Sequence, residues 1–118
     1  MKYLFILNDP PYGTERSYNG IRHAREMLKD KDVGNEVHVF LIGDAAACAK
    51  SGQKVPQGYY NVESMLQMLI HYGAEIGVCG TCIDARGIAD TDLVTGARRG
   101  SMAMLAEWTA WADKLAVY

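Results

Sequence analysis

The chain has 118 residues, of which 49% are hydrophobic and 22% charged, with a formal net charge of -2. That is one domain's worth of sequence, too apolar to stay disordered and too short for two cores. It has no run of Lys and Arg and no apolar stretch near the roughly 20 residues that span a bilayer, which argues against nucleic-acid and membrane partners.

Lys2 to Leu7 is an apolar run closed by Asn8-Asp9-Pro10-Pro11, a buried strand entering a loop. The run breaks too early for a secretory leader, whose apolar segment is about 7–15 residues. Three cysteines, an odd number, suit a reducing compartment. The expectation is a cytoplasmic protein. The spacing predicts a helix from Thr14 or Glu15 to Lys31, with Thr14 as N-cap and Tyr18, Ile21, Ala24 and Leu28 as its apolar stripe. Gly34-Asn35 turns the chain into a second strand, Glu36 to Ile42. A short alanine-rich helix from Gly43-Asp44 to Lys50 and a loop from Ser51 to Tyr60 follow.

Asn61 caps the next predicted helix, whose Val62, Met65, Leu66, Leu69 and Ile70 share one face. Gly73 ends it, and Ala74 to Val78 reads as the third strand. Cys79-Gly80-Thr81-Cys82 comes next, then a short helix from Ile83 to Arg86 closed by Gly87. A fourth strand is placed near Ala97 to Arg99. Ser101 caps a last helix with Met102, Leu105, Trp108 and Ala112 inward, and Lys114 to Tyr118 makes a fifth strand. Alternating strands and helices imply right-handed crossovers and an α/β fold, a parallel sheet with helices on both faces, spanning residues 1–118 as a single domain.

In such sheets ligands bind beyond the carboxyl ends of the strands. Three loops fall there: Asn8 to Gly13 with Asp9 and Tyr12, Gly43-Asp44, and Cys79 to Arg86. Cys79 stands just past a buried strand, and Gly80 beside it is expected to leave the backbone open. Free N–H groups of a following short helix would stabilise its thiolate, and Arg86 one turn on could add positive charge. Thiolate is the form that attacks a sulfur donor and carries a persulfide.

Other readings compete. A cysteine at a strand end is commonly a small buried hydrophobe. The Cys79/Cys82 spacing also fits thiol–disulfide exchange, with Cys82 as the resolving thiol. It could be half a zinc site, but a structural zinc takes about four ligands, and only Cys48, His23, His38 and His71 remain. No metal or cofactor is expected. Gly43 to Ser51 has a Walker-like outline with Cys48 and Ala49 where Gly and Lys should stand, so no phosphate loop is read there. Arg98-Arg99 reads as solvated surface. Trp108, Trp111, Tyr59-Tyr60 and the methionines point to an oligomer or to a non-catalytic binding module.

Pro11-Tyr-Gly-Thr-Glu15, Phe40-Leu-Ile-Gly-Asp-Ala45, Gly52-Gln-Lys54, Gly58-Tyr-Tyr-Asn-Val62 and Cys79-Gly-Thr-Cys-Ile-Asp-Ala-Arg-Gly-Ile88 carry a resemblance, extended by Gly100-Ser-Met102 and Glu107-Trp-Thr109. On these segments the chain resembles the DsrE/DsrF-like sulfur-relay family, in its YchN branch. The resemblance implies a three-layer α/β/α fold with a five-stranded parallel sheet. It also implies homo-oligomers, trimers or hexamers built from trimers, and persulfide chemistry on Cys79 with donor and acceptor proteins as partners. Cys82 is a departure from the better-studied relatives. Gly80, Thr81, Asp84 and Arg86 within the motif, with Asp9 and Tyr12, are the candidate binding or thiolate-stabilising residues.

Overall fold

The computed structural model describes all of residues 1–118. Strands β1 (Lys2–Leu7), β2 (Glu36–Leu41), β3 (Glu75–Cys79), β4 (Ala97–Gly100) and β5 (Lys114–Val117) form one sheet in the order β4-β3-β2-β1-β5. Every neighbouring pair is parallel. Helices α1 (Arg16–Leu28), α2 (Val62–His71), α3 (Gly80–Ala85) and α4 (Met102–Trp111) connect them, with short 3-10 segments at Gly43–Ala49 and Asp90–Asp92.

Side chains alternate across the strands and sort into two cores. Phe5, Leu7, Val37, Val39, Leu41, Ile76 and Val78 pack with Ile21, Ala24 and Leu28 of α1 and Val62, Leu66 and Leu69 of α2. On the opposite face Leu4, Phe40 and Cys79 pack under Trp108 of α4. The result is the expected α/β/α arrangement, with the cover on one face much thinner than on the other. Gly77 of β3 allows the close approach of α4: a β-carbon there would sit 2.9 Å from Met104 Sδ and 3.0 Å from Trp108 Cη2. Where cover is thin, apolar side chains stay in the open. Leu115 is 51% exposed, Val117 60% and Met102 61%.

The boundaries differ from expectation for local reasons. α1 begins at Arg16 and ends at Leu28, short of Lys31. Thr14 does not cap it. Its hydroxyl donates instead to Asp9 Oδ2 at 2.8 Å, and the cap position falls to Glu15 in the left-handed region at φ 63°. Past Leu28, the Asp30 carboxylate accepts the Asp32 N–H and turns the backbone away. The Gly43–Ala49 segment winds as a 3-10 helix after Gly43 adopts φ 61°. Asn61 and Ser101 cap α2 and α4 as predicted, accepting from the N–H groups of Ser64 and Met104. In α4 Trp108 is buried, but Met102 points outward. Ala112 lies beyond the end of the helix.

Candidate functional site

Cys79 is the last residue of β3 and the residue from which α3 springs. The helix therefore starts at Gly80, three residues before the predicted Ile83, because the backbone turns directly off the strand. Cys79 is 6% exposed, less open than the sequence suggested. It alternates onto the α4 face, where Phe40 and Trp108 pack against it. Gly80 does not open the backbone either. A β-carbon there would meet Arg99 Nη1 at 2.6 Å, so the lack of one lets the Arg99 side chain cross close over the turn.

Polar groups nonetheless converge on this sulfur. Thr81 Oγ1 lies 3.3 Å from Cys79 Sγ. Burial opposes ionisation, but the Cys82 thiol, the Thr81 hydroxyl and the N–H groups of both residues outweigh it and draw the Cys79 thiol below its ordinary value. Cys82 moves the other way. Burial and its hydrogen bond to Cys79 raise its thiol, against a smaller pull from the Gly43 N–H, which donates to Cys82 Sγ at 3.2 Å, and from Arg86. Cys79 is thus the thiol that ionises first, with Cys82 as its protonated neighbour.

The other candidate residues brace the site or lie outside it. Arg86 does not touch the Cys79 sulfur. Its guanidinium clamps Asp44 at 2.6 Å and donates to the Cys82 carbonyl at 3.0 Å, fixing the turn from outside. Asp84 faces Arg99 at 2.7 Å, and Arg99 also holds Asp90 at 2.8 Å. Hydrogen bonds from Arg99 keep both carboxyls below the usual carboxylate range.

Asp9 and Tyr12 belong to a separate node. The Asp9 carboxylate takes the Thr14 hydroxyl, with Arg16 at 3.7 Å, and its carbonyl accepts from Ser17 Oγ at 2.6 Å. The Tyr12 hydroxyl donates to Gln53 Oε1 at 2.6 Å and accepts the Val62 N–H at 3.1 Å. Neither reaches the cysteine pair through these contacts. Asp9 orders the entry to α1, and Tyr12 orders the loop ahead of α2.

Gly43 was placed at the sheet's carboxyl edge without a role of its own, and Arg99 was read as solvated surface, yet both touch the cysteine turn. Gly43 had a signal, a glycine directly after a buried strand. Arg99 had none, since its partners Asp84 and Asp90 mean nothing until the turn folds back. Cys48 is a different kind of cysteine: burial pushes its thiol up to about 12, and it is inert packing. Several surface clefts also lie away from the cysteine pair. One of about 250 Å³ between α1 and α2 is lined by Arg22, Arg25, Tyr60 and Met65, and one of about 350 Å³ by Tyr12, Lys54, Tyr59 and Tyr60. No group of three His, Cys, Asp or Glu side chains is placed to hold a metal ion. No helix is long and apolar enough to cross a membrane.

The comparisons with known proteins agree with this architecture. The DsrE/DsrF-like family matches residues 1–117. Protein YchN of Escherichia coli is 34% identical over 117 residues, covering 99% of this chain and 98% of YchN. A protein of Methanocaldococcus jannaschii is 34% identical over 118 residues, covering both chains fully. The crystal structure of the E. coli YchN protein superposes with a TM-score of 0.91, covering 100% of this chain and 99% of that one. A protein of Methanobacterium thermoautotrophicum shares the fold at a TM-score of 0.76 and 14% identity, covering 96% of each chain. With one family matched almost end to end and YchN similar in both sequence and structure, the chain belongs to the DsrE/DsrF-like family.

Proposed function

We propose that this chain is a sulfur carrier that accepts sulfur as a persulfide on Cys79 and passes it to a partner protein. The family is associated with sulfur relay. The observation that carries the finer reading is the set of donors from Thr81 and Cys82 directed at one sulfur, at the carboxyl edge of a parallel sheet. The Cys79 thiolate attacks the outer sulfur of a donor persulfide, and the donor departs as its thiolate. The outer sulfur is now bonded to Cys79, and an acceptor thiolate removes it by the same displacement.

The test is intact-mass measurement after exposure to a small persulfide. Wild-type protein gains a sulfur atom and Cys79→Ser does not. Equal uptake by the two would refute the assignment.

A second reading is thiol–disulfide exchange, favoured by the placement of Cys79 and Cys82 three residues apart across the first turn of α3. Mild oxidation followed by peptide mapping distinguishes it, since it demands a Cys79–Cys82 link. In either case the exposed Leu115, Val117 and Met102 on the thinly covered face support self-association into a trimer or hexamer through that face.

A further inference from the structure

A carrier needs one sulfur atom, and this site has two. Cys82 lies one helical turn beyond Cys79, where Cα atoms stand about 5 Å apart, inside the roughly 4.4–6.8 Å that a disulfide requires. It is also restrained. The Gly43 N–H holds its sulfur at 3.2 Å, and the Arg86 guanidinium holds its carbonyl at 3.0 Å. Cys48, the only other thiol, is buried and directed at the Asp9 carbonyl. A persulfide formed on Cys79 would therefore sit beside one positioned thiol. Intramolecular attack by a positioned group gains a large effective concentration over attack from solution.

We propose that Cys82 discharges the Cys79 persulfide as hydrosulfide, closing a Cys79–Cys82 disulfide, so that the chain releases sulfide when no acceptor takes its sulfur. This rests on the persulfide reading above. The Cys82 sulfur bonds to the inner, Cys79 sulfur. The bond from that sulfur to the outer one breaks, and the outer sulfur leaves with the electron pair. The Cys82 proton goes to the departing sulfur, so an anionic persulfide and a thiol become a disulfide and HS⁻. The sulfane sulfur is reduced by two electrons and the two cysteines are oxidised by two. A dithiol reductant then restores the pair for the next cycle.

The test loads wild-type, Cys82→Ser and Cys82→Ala protein with glutathione persulfide, removes excess donor, and follows each without reductant. Wild type is expected to lose its added sulfur, release one hydrosulfide per chain and show a Cys79–Cys82 disulfide on mapping. Both variants are expected to load, more slowly than wild type for want of the Cys82 donor, and then to release sulfide at least about tenfold more slowly. A circular dichroism spectrum and melting temperature matching wild type report that the variants are folded. If wild type loads but holds its sulfur, or releases it no faster than the variants, discharge is wrong and the carrier survives. If neither wild type nor the variants load, and wild type forms neither disulfide nor hydrosulfide, both ideas fall.

Discussion

The Gly43 N–H donates to the Cys82 sulfur across 3.2 Å, tying the turn after β2 to the turn after β3. That bond fixes the second thiol while Thr81 and Cys82 favour ionisation of the first. The division of labour between the two sulfurs is therefore a matter of which donors each one meets. Removing the Thr81 hydroxyl takes a donor from the Cys79 thiolate and raises its pKa. Thr81→Val is expected to move the midpoint of Cys79 alkylation to higher pH and to slow alkylation severalfold at neutral pH. Rate–pH profiles with iodoacetamide, resolved by peptide mapping, check this. An unchanged midpoint would remove Thr81 from the site.

Arg99 acts on the same turn from above. It crosses Gly80 and forks between Asp84 and Asp90, so α3 and the segment after it are strapped to β4. These groups are solvent-exposed ion pairs, so the strap is expected to matter more for access than for global stability. Arg99→Ala should raise the alkylation rate of Cys79 and speed amide exchange between residues 84 and 92. High salt should move wild type part of the way toward the variant. Arg99→Lys keeps the charge, loses the fork and should fall between them.

Gly77 is a packing position. Any β-carbon there collides with Met104 and Trp108, whose large side chains cannot both withdraw. Gly77→Ala is expected to cost about 1–3 kcal/mol, the usual penalty for overfilling a close-packed site. Urea denaturation read by tryptophan fluorescence measures it. A change of only a few tenths would mean that α4 rides loosely on the sheet.

His38 stacks on Trp111 with ring centroids 3.7 Å apart and planes at 3°, and its Nε2 meets Glu75 Oε2 at 2.8 Å. Its Nδ1 is buried without a partner. Burial lowers its pKa below the ordinary imidazole value against the pull of Glu75 and Glu36, with Arg98 adding to the lowering. The unfolded chain therefore takes up this proton first as pH falls, and acid favours unfolding. The contribution is fully present above about pH 6.5 and drains away down to the lowered folded value. Melting temperature should drop across that window, and His38→Phe, which stays on Trp111 but cannot titrate, should flatten the drop. Identical slopes would rule His38 out as the source.

The face bearing Leu115 and Val117 is the proposed contact between copies. Leu115→Asp with Val117→Asp is expected to reduce the sedimenting mass to that of one chain while leaving the circular dichroism spectrum unchanged. Wild type that already sediments as one chain would end that proposal.

Local sequence disclosed the strands and two of the caps because each of those features is decided by neighbours. Asn61 and Ser101 need only the N–H groups two or three residues on. Thr14 had a better offer from Asp9, five residues back, which no propensity reveals. Met102 and Trp108 lie on the same short helix, and only the position of the sheet decides that one is exposed and the other buried. The cysteine turn was visible as a motif, but its surroundings were not. Arg86 finds its partner 42 residues away in Asp44, the cover over Cys79 comes from α4, and Arg99 lies over the adjacent Gly80. Motif residues are chain neighbours; what shields and orients them arrives from distant elements.

The pairing of β1 with β5 has a kinetic consequence. β1 lies between β2 and β5, and the Asn8 amide at its exit bonds to the Tyr118 carbonyl 110 residues later. One flank of this inner strand is completed only by a segment some 110 residues further along the chain. Closing so long a loop is slow, and until it closes β1 presents an open ladder to its surroundings. Refolding should therefore have its latest step at this seam, and crowded refolding should lose most material there.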